Sequence, residues 1–137
     1  MNELHRLVYT NVDPMNAQLQ RYTSLFSGQT GTFSSCNFPW PAPDPITDDE
    51  KKLFEIVPEG TKYVIGYLHG DCGGRIHAIS HAAYYLDEIF RKDIHETYNS
   101  IDESTRIQIH DEFISLGYKE ERIIDEFGAY AVMKHDK

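Results

Sequence analysis

Residues 75–90 carry two stripes at helical spacing, and a helix with two committed faces restricts the folds open to this chain more than any other feature. At about 100° per residue, Ile76, Ile79, Ala83, Leu86 and Phe90 fall on one face. His77, His81, Tyr84 and Glu88 fall on another, nearly opposite. Such a helix packs on a core with its apolar side and turns its histidines toward a cleft. Two histidines four apart lie one above the other, so both imidazoles can reach a single metal ion. Ala78 follows the first histidine, a quarter-turn or so from the stripe. A carboxylate there would contact a metal-bound water without ligating the metal.

The surrounding elements are readable from local chemistry. Leu4 to Thr10 is apolar enough for a short strand, and Asp13-Pro14 opens a helix to Leu25, with Asp13 as N-cap and Pro14 at the first helical position. Gly28 to Pro45, rich in Gly, Ser, Thr and Pro, reads as a long loop lying over a groove. Thr47-Asp48-Asp49-Glu50 is a capping-box pattern for a helix that ends before Pro58. Lys62 to Leu68 is the strongest strand, rich in β-branched and aromatic residues. Gly70 to Gly74 breaks it and leads into the histidine helix, from about Arg75 to Phe90. Asp102 to Leu116 is a second long helix stopped by Gly117, and Glu120 to about Val132 is a third, with acidic residues in its first turn. At 137 residues the expectation is one α+β domain over 1–137. Residues 1–60 supply a strand, a helix and the loop; 61–137 form a small mixed sheet with the histidine helix and a helical C-terminal half.

Charge and composition exclude some functions. A net charge of −9 argues against nucleic acid, which needs a basic surface, and favours basic or neutral polypeptide partners. No apolar run approaches membrane-spanning length, and the first residues carry no signal-peptide core, so no membrane partner is expected. Two cysteines, Cys36 and Cys72, make no disulfide framework and point to a reducing, cytoplasmic compartment.

Gly74-Arg75-Ile76-His77-Ala78-Ile79-Ser80-His81-Ala82, with Tyr84-Tyr85-Leu86 behind it, resembles the active-site helix of small gluzincin-type zinc metallopeptidases, apart from Ala78. The resemblance covers roughly Lys62 to Val132. It implies a zincin-like fold, a Zn2+ cofactor and a protein or peptide substrate. It also implies His77, His81 and a downstream Glu126 as metal ligands, with water in the fourth position. In an intact site of this kind the glutamate after the first histidine takes a proton from that water and passes it to the leaving amine. Ala78 occupies the position of that general base and supplies neither acceptor nor donor. Losing one positioned acid/base group costs about a hundredfold to ten-thousandfold in rate, so the chain is expected to bind zinc and substrate without cutting. Ala78 has two readings. An engineered replacement of glutamate is favoured by the intact surroundings and the single-codon difference; the other is a natural pseudo-peptidase acting as a protein-binding module.

Several residues compete for roles. Asp125 is an alternative to Glu126 as ligand, or orients a histidine through its other ring nitrogen. Glu126, Ala129 and Tyr130 share a helix face, so the Tyr130 phenol could hydrogen-bond a ligand or substrate oxyanion, or belong to the core. His69, Cys72 and Cys36 could approach the metal, although a turn or loop role is simpler. Asp71 could cap the helix. His95 and His110 fall on polar helical stretches. Trp40, Tyr63, Tyr67 and Tyr84 are substrate-pocket candidates by residue type. Strand 62–68 is expected at a sheet edge beside the cleft, where an extended peptide can add to it. Two other classes compete with a peptidase: an interaction domain whose histidines are incidental or bind a structural metal, and a hydrolase of non-peptide amides.

Overall fold

A computed structural model describes residues 3–135 and has an α+β fold. In chain order it runs β1 (Leu4–Tyr9), α1 (Val12–Ser27), β2 (Ser35–Pro39), α2 (Asp48–Ile56), β3 (Tyr63–Leu68), α3 (Cys72–Leu86), α4 (Glu88–Ser100), α5 (Glu103–Ser115), a 3-10 turn (Glu120–Arg122) and α6 (Ile123–His135). Among the described residues no helix is long and apolar enough to cross a membrane.

The three strands make one mixed sheet in the order β1-β3-β2. β1 runs parallel to β3, with Leu4 opposite Tyr63 and Tyr9 opposite Leu68; β2 runs antiparallel, with Ser35 opposite Tyr67 and Pro39 opposite Tyr63. The 62–68 segment is therefore central and paired on both sides, which corrects the expectation of an edge strand. Its nearly unbroken apolar character is the physical reason, because a central strand covered on both faces has no polar side to show. Side chains alternate across it. Val64 packs with Met15, Leu19 and Tyr22 of α1, Leu53 of α2, and Cys36 and Phe38 of β2. Tyr63, Ile65 and Tyr67 face the other way, onto Ala78 and Ala82 of α3. The sheet thus lies between α1 with α2 on one side and α3 on the other.

Other boundaries moved for local reasons. The 28–45 loop contains β2, whose buried Cys36 and Phe38 alternate with half-buried Ser35, Asn37 and Pro39. Asn11, not Asp13, holds the N-cap position of α1, without a side-chain capping hydrogen bond, and Pro14 sits inside the first turn, where a missing N–H breaks no helical hydrogen bond. The expected 75–90 helix is two helices. Asp87 takes an extended conformation and accepts the N–H groups of Ile89 and Phe90, so a local cap competes successfully with continuation. The core side of α3 also differs from the expected stripe: Ala78, Ser80, His81, Ala82 and Tyr84 are its buried residues. The helix is covered by the sheet through small residues and by α6 on another side, so hydrophobic spacing alone misplaces its inner face. The Thr47–Glu50 capping box forms with both reciprocal hydrogen bonds, and Glu50 also pairs with Arg21 at 2.8 Å.

Candidate metal centre

Two helices bring the centre together. α3 carries His77 and His81 one turn apart, and α6 packs against it with Asp125 and Glu126 in its first turn. His81 Nε2 lies 3.1 Å from Glu126 Oε2 and 3.2 Å from His77 Nε2, and His77 Nε2 lies 3.1 Å from Glu126 Oε1. One ligand atom from each of the three residues falls within 4.8 Å of the others. Glu126 Oε1 is buried and, despite its closeness to His77, has no aligned hydrogen-bond donor. The three sets of lone pairs converge on a shared point.

The far side of His81 is fixed. Its Nδ1 lies 2.9 Å from Asp125 Oδ1, so a neutral His81 that keeps its proton on Nδ1 directs the Nε2 lone pair at the cluster. Arg122 stands 3.7 Å from the other Asp125 oxygen. Burial works against charge on both His81 and Glu126, and their partners overcome it. Asp125 and Glu126 hold the His81 imidazolium above its ordinary range, while His77 and His81 hold the Glu126 carboxyl well below its own. Two imidazole nitrogens and one carboxylate oxygen, with a carboxylate behind one imidazole, are a donor set that suits zinc. His77, His81 and Glu126 could hold a metal ion.

The centre lies at a cavity of about 440 Å³. Its walls include Thr23 and Ser27 near the end of α1, Ser35 and Asn37 of β2, and two phenols, Tyr118 and Tyr130. Tyr130 is half exposed, meets the His77 ring edge-on at 5.4 Å and stacks on Phe113 of α5 at 5.9 Å. Tyr118 enters from the turn after α5. Lys119 anchors that turn, its N–H donating to the Ser27 carbonyl at 2.9 Å and its ammonium to the Leu25 carbonyl at 2.6 Å. Gly28 permits the approach: φ is +88°, and a Cβ there would lie 2.8 Å from the Gly117 carbonyl oxygen. Burial, reinforced by Glu126 and Tyr130, pushes the Tyr118 phenol up, which keeps it a neutral donor. Nothing in its local sequence marks Tyr118 as a cavity residue; the long-range docking of its turn on α1 puts it there.

Other candidates lie elsewhere. Ala78 is 0% exposed, packed among Tyr63, Ile65 and Tyr67, and is not a wall residue. Tyr63 is fully buried with its hydroxyl donating to Asn37 Oδ1 at 2.6 Å, and Tyr67 covers α3 on the same sheet face. Tyr84 is hydrogen-bonded to His95 at 2.6 Å, so His95 is engaged with α3 and not merely solvated. None of these three tyrosines lines the cavity, because alternation sends the strand residues into the sheet–helix core and Tyr84 turns toward α4. Trp40 packs on Phe54 at 4.6 Å, on the opposite side of the sheet. Cys36 belongs to that same core, where burial pushes its thiol up to about 11, and His69 and Cys72 are exposed; none joins the cluster. His110 is half-buried and pairs with Glu120 at 3.0 Å. Asp71 caps α3 and lines the cavity. Comparison with protein-family models, curated proteins and solved structures gave no match.

Proposed function

We propose that this chain carries a zinc centre of the peptide-hydrolase kind on a zincin-like arrangement of sheet and helices, and that it binds a peptide-like ligand without cutting it. The observation that carries the reading is the convergence of His77, His81 and Glu126 beside an open polar cavity, with a buried Glu126 oxygen that makes no aligned hydrogen bond. Zinc there would supply Lewis-acid polarisation of a carbonyl and activation of water. His77, His81 and Glu126 would hold the ion, Asp125 would keep His81 in the ligating tautomer, and Tyr118 and Tyr130 would offer phenol hydrogen bonds to a ligand oxygen. The peptide platform cannot be β3, which is paired on both sides; edge strand β2 is the better seat, since Ser35 and Asn37 lie on the cavity wall.

Ala78 favours the natural binding module over a hydrolase silenced by one replacement. Its side chain is closed in against the sheet, where alanine fits and where a carboxylate would have no polar partner in the surrounding cluster. The metal is tested first. Elemental analysis of protein purified without chelator should find about one zinc per chain, and the His77→Ala, His81→Ala double variant should lose it. Equal zinc in both proteins would overturn the assignment.

A further inference from the structure

We infer that Asp71 and the hydroxyl-bearing wall around it form a subsite for a cationic group, a primary amine or guanidinium, on the ligand that the metal centre takes; this rests on the metal-centre reading. Glu126 Oε1, buried at the cavity with His77 Nε2 3.1 Å away but no aligned hydrogen bond, marks the cavity as a ligand site on grounds other than Asp71. Apart from the metal cluster, Asp71 supplies the one charged group among the described wall residues, and none of these is a lysine or arginine. Among the described residues, an anionic ligand group would therefore meet carboxylates with no lysine or arginine to offset them. A cationic group in the same cavity meets the Asp71 carboxylate, and the wall also carries the hydroxyls of Ser34 and Ser35 as further acceptors.

The position of the carboxylate is fixed. Asp71 Oδ1 accepts the N–H of Gly74 at 3.0 Å, and a Cβ on Gly74 would lie 2.4 Å from Oδ2. Glycine at 74 is what lets the carboxylate fold over the first turn of α3. It then stands six residues, roughly 9 Å of rise, before His77. That separation suits a lysine-length side chain whose carbonyl sits at the metal. Asp71 forms no ion pair within 4 Å among the described residues. The net charge of −9 adds a field that draws cations toward the molecule.

The test uses the zinc-loaded full chain and two probes of matched shape, lysine hydroxamate and norleucine hydroxamate, titrated calorimetrically. The hydroxamate addresses the metal and the side chain addresses Asp71. Lysine hydroxamate should bind about tenfold tighter, the scale of one charge-assisted hydrogen bond. Asp71→Asn keeps an acceptor for the Gly74 N–H and removes the charge, so the preference should fall to near parity; Asp71→Ser, a second uncharged cap, should agree. Equal binding of the two probes by the unaltered chain, or a lysine preference that survives both substitutions, overturns the subsite and leaves the metal centre standing. Binding of neither probe overturns both.

Discussion

Two alanines one turn apart, Ala78 and Ala82, seat α3 on the sheet face formed by Tyr63, Ile65 and Tyr67. Their small size sets how closely the helix approaches, and so where His77 and His81 stand relative to α6. A glutamate at position 78 would enter a site that is 0% exposed. Overpacking costs about 1–3 kcal/mol, and an unpartnered buried carboxylate adds to that. Ala78→Glu is therefore expected to lose roughly 3 kcal/mol or more of stability in urea unfolding and to show no peptide cleavage. A variant as stable as the parent that cleaves peptides in a chelator-sensitive manner would return the reading of a hydrolase silenced at one residue. The histidine pair itself is legible from spacing, since i and i+4 share a helix face whatever surrounds them. The burial of Ala78 is not, because a hydrophobicity pattern gives alanine little weight and the sheet above it is known only once the strands are paired.

At the level of elements, the turn between α5 and α6 docks on the C-terminal end of α1 and carries Tyr118 to the cavity. Gly28 is the contact point, combining a left-handed φ of +88° with a backbone oxygen 2.8 Å from where a Cβ would sit. Gly31 has a comparable φ of +106° but nothing within 4 Å, so it isolates the conformational part of the cost. Gly31→Ala is expected to cost about 1 kcal/mol from the left-handed backbone alone. Gly28→Ala should cost roughly 1–3 kcal/mol more, as overpacking adds to it, read as the difference between the two denaturation midpoints. Equal losses would mean that the α1 end and the 117–119 turn are not in tight contact. β3 and the Thr47–Glu50 cap can be read from sequence because their determinants are local. β2 cannot: Ser35-Cys36-Asn37-Phe38-Pro39 has weak strand propensity and is a strand because β3 pairs with it. The break at Asp87 was equally hidden, since one capping carboxylate divides a segment whose helical periodicity runs through it.

Across the whole molecule, residues far apart in sequence build one polar recess: α3 and α6 give the candidate metal donors, α1 and β2 a hydroxyl and amide wall, and the α5–α6 turn a phenol. The order of donors, two histidines and then a glutamate on a later helix, is visible in the chain, whereas the wall depends on tertiary packing that no spacing encodes. The account stands or falls on what binds at the point where His77, His81 and Glu126 meet. Zinc K-edge X-ray absorption on the zinc-loaded chain measures that directly. The prediction is a shell of nitrogen and oxygen at about 2.0–2.2 Å, with the outer-shell scattering of two imidazoles and no sulfur. A sulfur shell near 2.3 Å, placing the ion on Cys36 or Cys72, or an oxygen shell without imidazole scattering, would contradict it.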